Sequence, residues 1–248
     1  MGRFEGKNVV ITGGSTGIGL ATASLLVNQG ARVLISGRDE VALKAACDHL
    51  GDGAIAVRGD VSSMIDIGVL ADRVQQEFGT IDALIANAGV TVHEPFESTS
   101  EESFDLLFAV NAKGLYFTVQ RLAPLLADGA GVVLTTSAVN MLGYPMVSAY
   151  AASKAAVRSL ARSLARELLP RGVRVNAVSP GPIDSGILDR AGIPHVIVEQ
   201  TKVRMAAEIP MQRLGHPEEV AKAAAFLAFE ATFTTGAELV VDGGGTQL

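Results

Sequence analysis

A chain of 248 residues with 48% hydrophobic and 19% charged side chains has apolar material for one large core and the length of one ordinary α/β domain, which excludes a disordered chain and calls for no second domain. Its net charge of -6 excludes a general phosphate-backbone binder, which would present a basic face, so nucleic acid is not an expected partner. Cys47 is the only cysteine and His49, His93, His195 and His216 are scattered, which excludes an intrachain disulfide and a cysteine-based zinc framework and leaves no catalytic metal expected.

The amino terminus, "MGRFEGKNVVITGG", enters a strand pattern at once and lacks the apolar core of a signal peptide. Gly6 stands where a myristoylation signal begun at Gly2 would need Ser or Thr. The uncharged run from Gly129 to Ser153 holds too much Thr, Ser, Asn, Gly and Pro for a lipid-exposed span. These features read as a soluble, cytoplasmic protein with no membrane partner.

Along the chain, "KNVVIT", "ARVLIS", "AIAVR", "DALIA", "GVVLTT", "VRVNAVS" and "AELVVD" read as strands. Between them lie the helical patterns "IGLATASLLVNQG", "VALKAACDHLG", "IGVLADRVQQEFG", Glu101 to Leu126, Ser148 to Leu169, and "PEEVAKAAAFLAF". The alternation predicts a doubly wound, Rossmann-type parallel α/β sheet with helices on both faces, as one domain over 1–248. Several strands are apolar on both sides, as both covered faces require. Such sheets bind ligands at the carboxyl ends of their strands.

"TGGSTGIG", Thr12 to Gly19, follows the first strand and opens the first helix. Gly13, Gly17 and Gly19 permit close approach of backbone to a ligand, and the helix amino terminus beyond them offers free N–H groups to an anion. The spacing is GxxxGxG rather than GxGxxG, and glycines also build ordinary tight turns; the place between strand and helix favours a dinucleotide. At the second strand, "VLISGRDE" puts Gly37 where an NAD site places an acid for the ribose 2′-hydroxyl, with Arg38 beside it. A guanidinium there can hold a 2′-phosphate, which favours NADP(H) over NAD(H). A solvated Arg38 with Asp39 next along would accept either cofactor.

Farther on, "YAASKAAV" sets Tyr150 and Lys154 four apart on one helix face. A cation beside a phenol favours the phenolate and would pull its pKa below about 10; the other reading is a chance pair on a solvated helix. The segment from Asp184 to Met211 mixes Ile187, Leu188, Ile193, Val196, Ile197 and Ile209 with charges and is interrupted by Pro194 and Pro210. Its length reads as a substrate lid with some helix of its own, or else as an irregular surface excursion.

The sequence resembles the short-chain dehydrogenase/reductase family nearly end to end. The family's marks come in order: "TGGSTGIG", "GDV" at Gly59 to Val61, "ANAG" at Ala86 to Gly89, "NAKG" at Asn111 to Gly114, Ser137 in "TTSAV", "YAASK", "SPGPI" at Ser179 to Ile183, and "TGAELVVDGGG". The resemblance implies a catalytic set of Asn111, Ser137, Tyr150 and Lys154. Tyr150 would exchange a proton with the substrate oxygen, Ser137 would hydrogen-bond that oxygen, and Lys154 would lower the Tyr150 pKa and bind the nicotinamide ribose. Asn111, where the family bends a helix, would hold a water linking Lys154 to solvent. It further implies cofactor contacts at Gly13, Ser15, Thr16, Gly17, Ile18, Gly19, Arg38, Asp60, Val61, Asn87, Ala88, Gly89, Tyr150, Lys154, Pro180, Gly181, Ile183 and Ser185. Ala86 stands where many members have a first asparagine, Ser185 where many have threonine, and Thr16 where many NADP-dependent members have a basic residue.

Met141, Leu142 and Tyr144, just beyond Ser137, and the lid predict a mainly apolar pocket for a small-molecule ketone or secondary alcohol. The expected activity is that of an NADP-dependent carbonyl reductase or alcohol dehydrogenase. "IPMQRLGHPEEVA" resembles the tail of 3-oxoacyl-carrier-protein reductases, but the turn "LLADGAG", Leu125 to Gly131, offers no basic surface for an acidic carrier; Arg171 and Arg174 lie elsewhere. Sugar and steroid substrates stay open. A dinucleotide-binding redox sensor would need the glycine loop without the proton relay. Small residues in "AYAASKAAV" and the terminal "VDGGGTQL" resemble the family's interfaces and imply a homo-oligomer, a tetramer.

Overall fold

The computed structural model describes residues 2–186 and 194–248. Seven strands form one sheet: β1 (Asn8–Thr12), β2 (Arg32–Gly37), β3 (Ala54–Arg58), β4 (Ile81–Ala86), β5 (Leu126–Thr135), β6 (Arg174–Pro180) and β7 (Glu238–Val241). All neighbours are parallel, in the order β3-β2-β1-β4-β5-β6-β7. The helices are α1 (Gly17–Val27), α2 (Glu40–Leu50), α3 (Met64–Glu77), α4 (Glu101–Phe108), α5 (Leu115–Leu122), α6 (Ser148–Leu168), α7 (His195–Ala207) and α8 (Pro217–Ala225).

Side chains alternate along a strand, so an apolar run feeds two cores. Val10, Leu34, Leu84 and Val132 pack with α3, α5 and α6 through Leu70, Leu122 and Val157. Val9, Ile11, Ile35 and Ile85 pack on the other face with α1, α2 and α8 through Leu26, Leu43 and Ala224. The expected doubly wound fold forms, with every expected strand in place. The order reverses at β1, whose neighbours are β2 and β4, so a crevice opens where the connections leaving β1 and β4 diverge.

Two elements differ from the sequence reading. The strand expected from Gly131 begins at Leu126, with a register irregularity between Ile81 and Ala83 of β4. Arg171 holds this extension: its Nε donates to Asp128 Oδ1 at 3.1 Å, and its terminal nitrogens donate to the carbonyls of Ala123, at 2.7 Å, and Leu126. The helix expected from Glu101 to Leu126 is interrupted between α4 and α5 by a π-helical segment, Ala109–Gly114. One extra residue per turn bulges the helix at Asn111.

Candidate active site

The connection from β1 to α1 runs under the loop that follows β4. Thr12 Oγ1 accepts from the backbone N–H groups of Asn87 and Ala88, each at 3.1 Å, and Asn87 Nδ2 donates to the carbonyls of Thr12 and Gly13 at 3.2 and 3.1 Å. These bonds bring the two loops so close that side chains have no room. Gly13 has φ of 65°, and a Cβ there would lie 2.9 Å from the Ala88 Cα; a Cβ on Gly19 would lie 2.0 Å from the Gly13 carbonyl oxygen. Thr12 opens the glycine motif in the sequence, but its role in tying the loop to β4 comes from the neighbouring strand.

Three of the other helices are closed at their amino termini by side chains. Asp39 accepts from Val41 and Ala42 at the start of α2, Ser63 from Asp66 at α3, and Ser100 from Ser103 at α4. At α1 the Thr16 side chain makes no such bond and no acidic residue follows in the first turn. Its N–H groups therefore face the crevice as donors for an anion. This uncapped terminus beside a side-chain-free cradle fits a dinucleotide pyrophosphate.

A cleft of about 730 Å³ runs from this loop across the carboxyl end of the sheet. Ser15, Thr16, Gly17, Ile18, Arg38, Asp60 and Val61 line one end, with Ala88, Gly89, Pro180, Gly181, Ile183 and Ser185 farther along. Gly19 lies beneath Gly13, outside the lining. Ser185 folds against Gly17, where an added Cβ would lie 3.2 Å from its own Cβ. At the far end stand Ser137, Tyr150 and Lys154, with Val90, Thr91, His93, Leu142, Val147, Met205, Glu208 and Ile209 around them. Gly19→Ala would crowd the cradle. Overpacking costs about 1–3 kcal/mol, so NADPH binding by calorimetry is expected to weaken about 10- to 100-fold; unchanged affinity would remove the loop as the cradle.

At the adenosine end, Arg38 leaves β2 with NH1 3.8 Å from Asp60 Oδ2. Burial works against the Asp60 charge, but Ser62 N and Oγ, each at 2.8 Å, and the Arg38 guanidinium outweigh it and hold the carboxyl below its ordinary value. Asp39 Oδ1 accepts from Val41 N and Ala42 N at 2.9 and 3.0 Å, capping α2, while the residue also lines the cleft.

At the far end, Lys154 is buried, donates to the Thr135 carbonyl at 3.0 Å, and has its ammonium 5.8 Å from the Tyr150 ring centroid. Burial pulls its pKa down to about 8. The sequence reading has the cation pulling the Tyr150 phenol below 10; burial instead pushes it up, with only a hydrogen bond to Ser137 pulling the other way. Desolvation of both groups outweighs their attraction at this separation. Tyr150 is thus a protonated donor at neutral pH.

Asn111 is fully buried and its amide is committed: Oδ1 accepts from Val90 N at 2.8 Å, while Nδ2 donates to Val90 O at 2.9 Å and Ser153 Oγ at 3.0 Å. A Cβ on Gly89 would lie 3.2 Å from both Asn111 Oδ1 and Lys154 Nζ, so these two residues meet beside the loop after β4. Leu142 and Tyr144 line the cleft as expected, whereas Met141 does not. Of the lid residues, Ile209 lines it, Val196 and Ile197 are exposed, and Ile187, Leu188 and Ile193 lie outside the described residues. Glu208, which the sequence reading missed, accepts a hydrogen bond from the Tyr144 hydroxyl at 2.6 Å across the mouth.

Among the described residues no helix is long and apolar enough to cross a membrane. The family model described as Enoyl-(Acyl carrier protein) reductase matches residues 13–246. An oxidoreductase of Sarocladium schorii is 41% identical over 99% of this chain and 98% of its own. The NADP-dependent (R)-specific alcohol dehydrogenase of Lentilactobacillus kefiri is 36% identical over 98% of each chain. A solved structure assigned as a betaketoacyl-ACP reductase superposes with a TM-score of 0.87 at 36% identity, covering 99% of this chain and 100% of the other.

Proposed function

The chain belongs to the short-chain dehydrogenase/reductase family, whose enzymes act on alcohol and carbonyl groups with a nicotinamide cofactor, and on that premise we propose that it is an NADP(H)-dependent ketone reductase. The observation that carries this reading is one cleft with Ser137, Tyr150 and Lys154 at one end and the Arg38 guanidinium at the other. When bound, the reduced nicotinamide supplies hydride to the carbonyl carbon. Tyr150 donates its phenolic proton to the carbonyl oxygen, and Ser137 hydrogen-bonds that oxygen as charge grows on it. Lys154 holds the ribose hydroxyls and stays charged below about pH 8. With its amide bonded to Val90 and Ser153, the Asn111 side chain is not free to hold the relay water that the family resemblance implies.

The preference for NADP(H) is supported by Arg38, which lines the cleft at the end of β2; Asp39 lines it too, with one carboxylate oxygen capping α2. Charged hydrogen bonds contribute about 1.5–3 kcal/mol. Arg38→Leu is therefore expected to lower kcat/KM for NADPH about 10- to 100-fold and leave NADH within a few-fold. Equal losses with both cofactors would end the NADP(H) reading. Met205, Glu208 and Ile209 on the cleft, with Lys202 3.1 Å from Asp184, support 184–211 as a substrate lid on one domain spanning 1–248. Exposed Phe104, Leu106, Phe233 and Leu248 support a homo-oligomer, which we read as a tetramer, in the cytoplasm. Light scattering tests the assembly.

The structural neighbour favours one second reading, a 3-oxoacyl-carrier-protein reductase. Two observations weigh against it. Arg171 is committed to Asp128 and to the carbonyls of Ala123 and Leu126 at the start of β5, and Arg174 donates to the carbonyls of Leu227, Ala228 and Ala231. Turnover of simple ketones and of an acetoacetyl thioester, followed by NADPH absorbance with NADH as comparison, decides between them. Tight cofactor binding with no turnover on any substrate would instead support a redox sensor.

A further inference from the structure

Behind the catalytic end, outside the cleft lining, one carboxylate gathers donors from four elements. Glu238 opens β7 with its side chain 10% exposed. Its Oε1 accepts from Ser179 Oγ on β6, from Thr136 Oγ1 just past β5 at 3.3 Å, and from Asn140 Nδ2 at 2.7 Å. Its Oε2 accepts from Arg158 Nε on α6 at 2.9 Å, and Arg158 NH1 donates to the Gly236 carbonyl at 3.0 Å.

We infer that Glu238 is a positioning residue of the active site, fixing Ser137 through Asn140 and fixing α6 through Arg158. Asn140 lies at the end of the short turn that Ser137 begins, and its Nδ2 also donates to the Ser137 carbonyl at 2.7 Å. The carboxylate decides which way that amide faces, and the amide holds the backbone of Ser137. Arg158 is one helical turn beyond Lys154, so the same carboxylate holds the helix that carries Tyr150 and Lys154. Fixing Ser137 and Tyr150 from one point keeps their hydroxyls aimed at a single substrate oxygen.

Stability alone gives a weak account of this cluster. A buried ion pair loses in desolvation about what it gains in attraction, and apolar side chains of similar volume often hold a fold as well. What only the ion pair supplies is direction at Asn140 and neutrality near Lys154. The other elements packed on Lys154 bring neutral groups, Thr135 from β5, Gly89 from the loop after β4 and Asn111 from the π-helical turn, while the ionisable side chains on the cleft at this end are His93, after β4, and Glu208, after α7.

The inference rests on the proposed reductase reading, and the test separates the two. In the alcohol-oxidising direction Tyr150 must lose its proton, so the acidic limb of kcat/KM reports the charge near it. Glu238→Gln leaves the Arg158 cation unbalanced and is expected to move that limb to lower pH, with kcat down about 10-fold or more from the loosened turn. Arg158→Met leaves the carboxylate unbalanced and is expected to move the limb to higher pH. Each shift is on the order of one unit. Asn140→Ala is expected to lower kcat with KM for cofactor held and the limb unmoved. Should Glu238→Gln fail to fold, the other two variants carry the same test. Variants that keep kcat within two-fold and share the wild-type limb, while Tyr150→Phe is inactive, overturn the inference and leave the reductase. Full activity of Tyr150→Phe overturns the reductase reading itself.

Discussion

Tyr150→Phe is expected to lower kcat/KM for ketone reduction by about 100- to 10,000-fold, the range that a positioned proton donor contributes. The substitution removes one oxygen and leaves the ring that lines the cleft, so the fold and the NADPH dissociation constant should hold. The size of the loss follows from where the hydroxyl sits. It shares a hydrogen bond with Ser137, and burial keeps the phenol protonated above its ordinary range. At neutral pH it is therefore loaded for donation, and in the oxidising direction the rate should climb as pH rises. Steady-state kinetics by NADPH absorbance, with calorimetry for cofactor binding, reads both quantities. A loss confined to KM for the ketone would make Tyr150 a binding group and transfer the proton to another donor.

The elements that carry this chemistry were legible in the sequence because their signals are local. Continuous apolar strands such as "VVIT" and "VLIS" announce a sheet covered on both faces, and "TGGSTGIG" announces a loop closed to side chains. The i,i+4 spacing brings Tyr150 and Lys154 to one site without any knowledge of the sheet. What the sequence could not show is what three-dimensional packing does to charge. Desolvation reverses the expected direction at Tyr150, because attraction from Lys154 across the pair is weaker than the loss of water from both groups. Asp39, which stands beside the cofactor-selecting position in the sequence, also caps α2 through one carboxylate oxygen, a bond no residue spacing announces. Arg171 and Arg174 each hold backbone carbonyls of segments some fifty positions away, which no local signal announces. Glu238 follows Asn140 by 98 positions, and no spacing rule connects them.

Lys154→Met is expected to move activity and stability in opposite directions. The wild-type amine is buried, and its pKa falls from 10.5 to about 8 on folding. That gap corresponds to about 3 kcal/mol against the folded state wherever both states carry the charge. The sign follows from proton counting. Below about pH 8 the amine is charged in both states and the burial penalty is complete; between about 8 and 10.5 the unfolded chain binds more protons, so wild-type stability rises with pH. Met fills a similar volume without a charge and escapes the penalty, but leaves the Thr135 carbonyl without its 3.0 Å donor, a loss of about 1–3 kcal/mol. Denaturant unfolding at pH 7 should therefore find the variant at least as stable as wild type, and by up to about 2 kcal/mol more stable. The difference should shrink or reverse as pH passes from 8 to 10.5. Activity should fall by about 100-fold or more, since the ribose contact and the proton path to Tyr150 go together. A variant destabilised at pH 7 would mean that the ammonium is better solvated inside the fold than its burial implies. A variant that keeps its activity would remove Lys154 from the relay and leave the catalytic end of the cleft to Tyr150 and Ser137 alone.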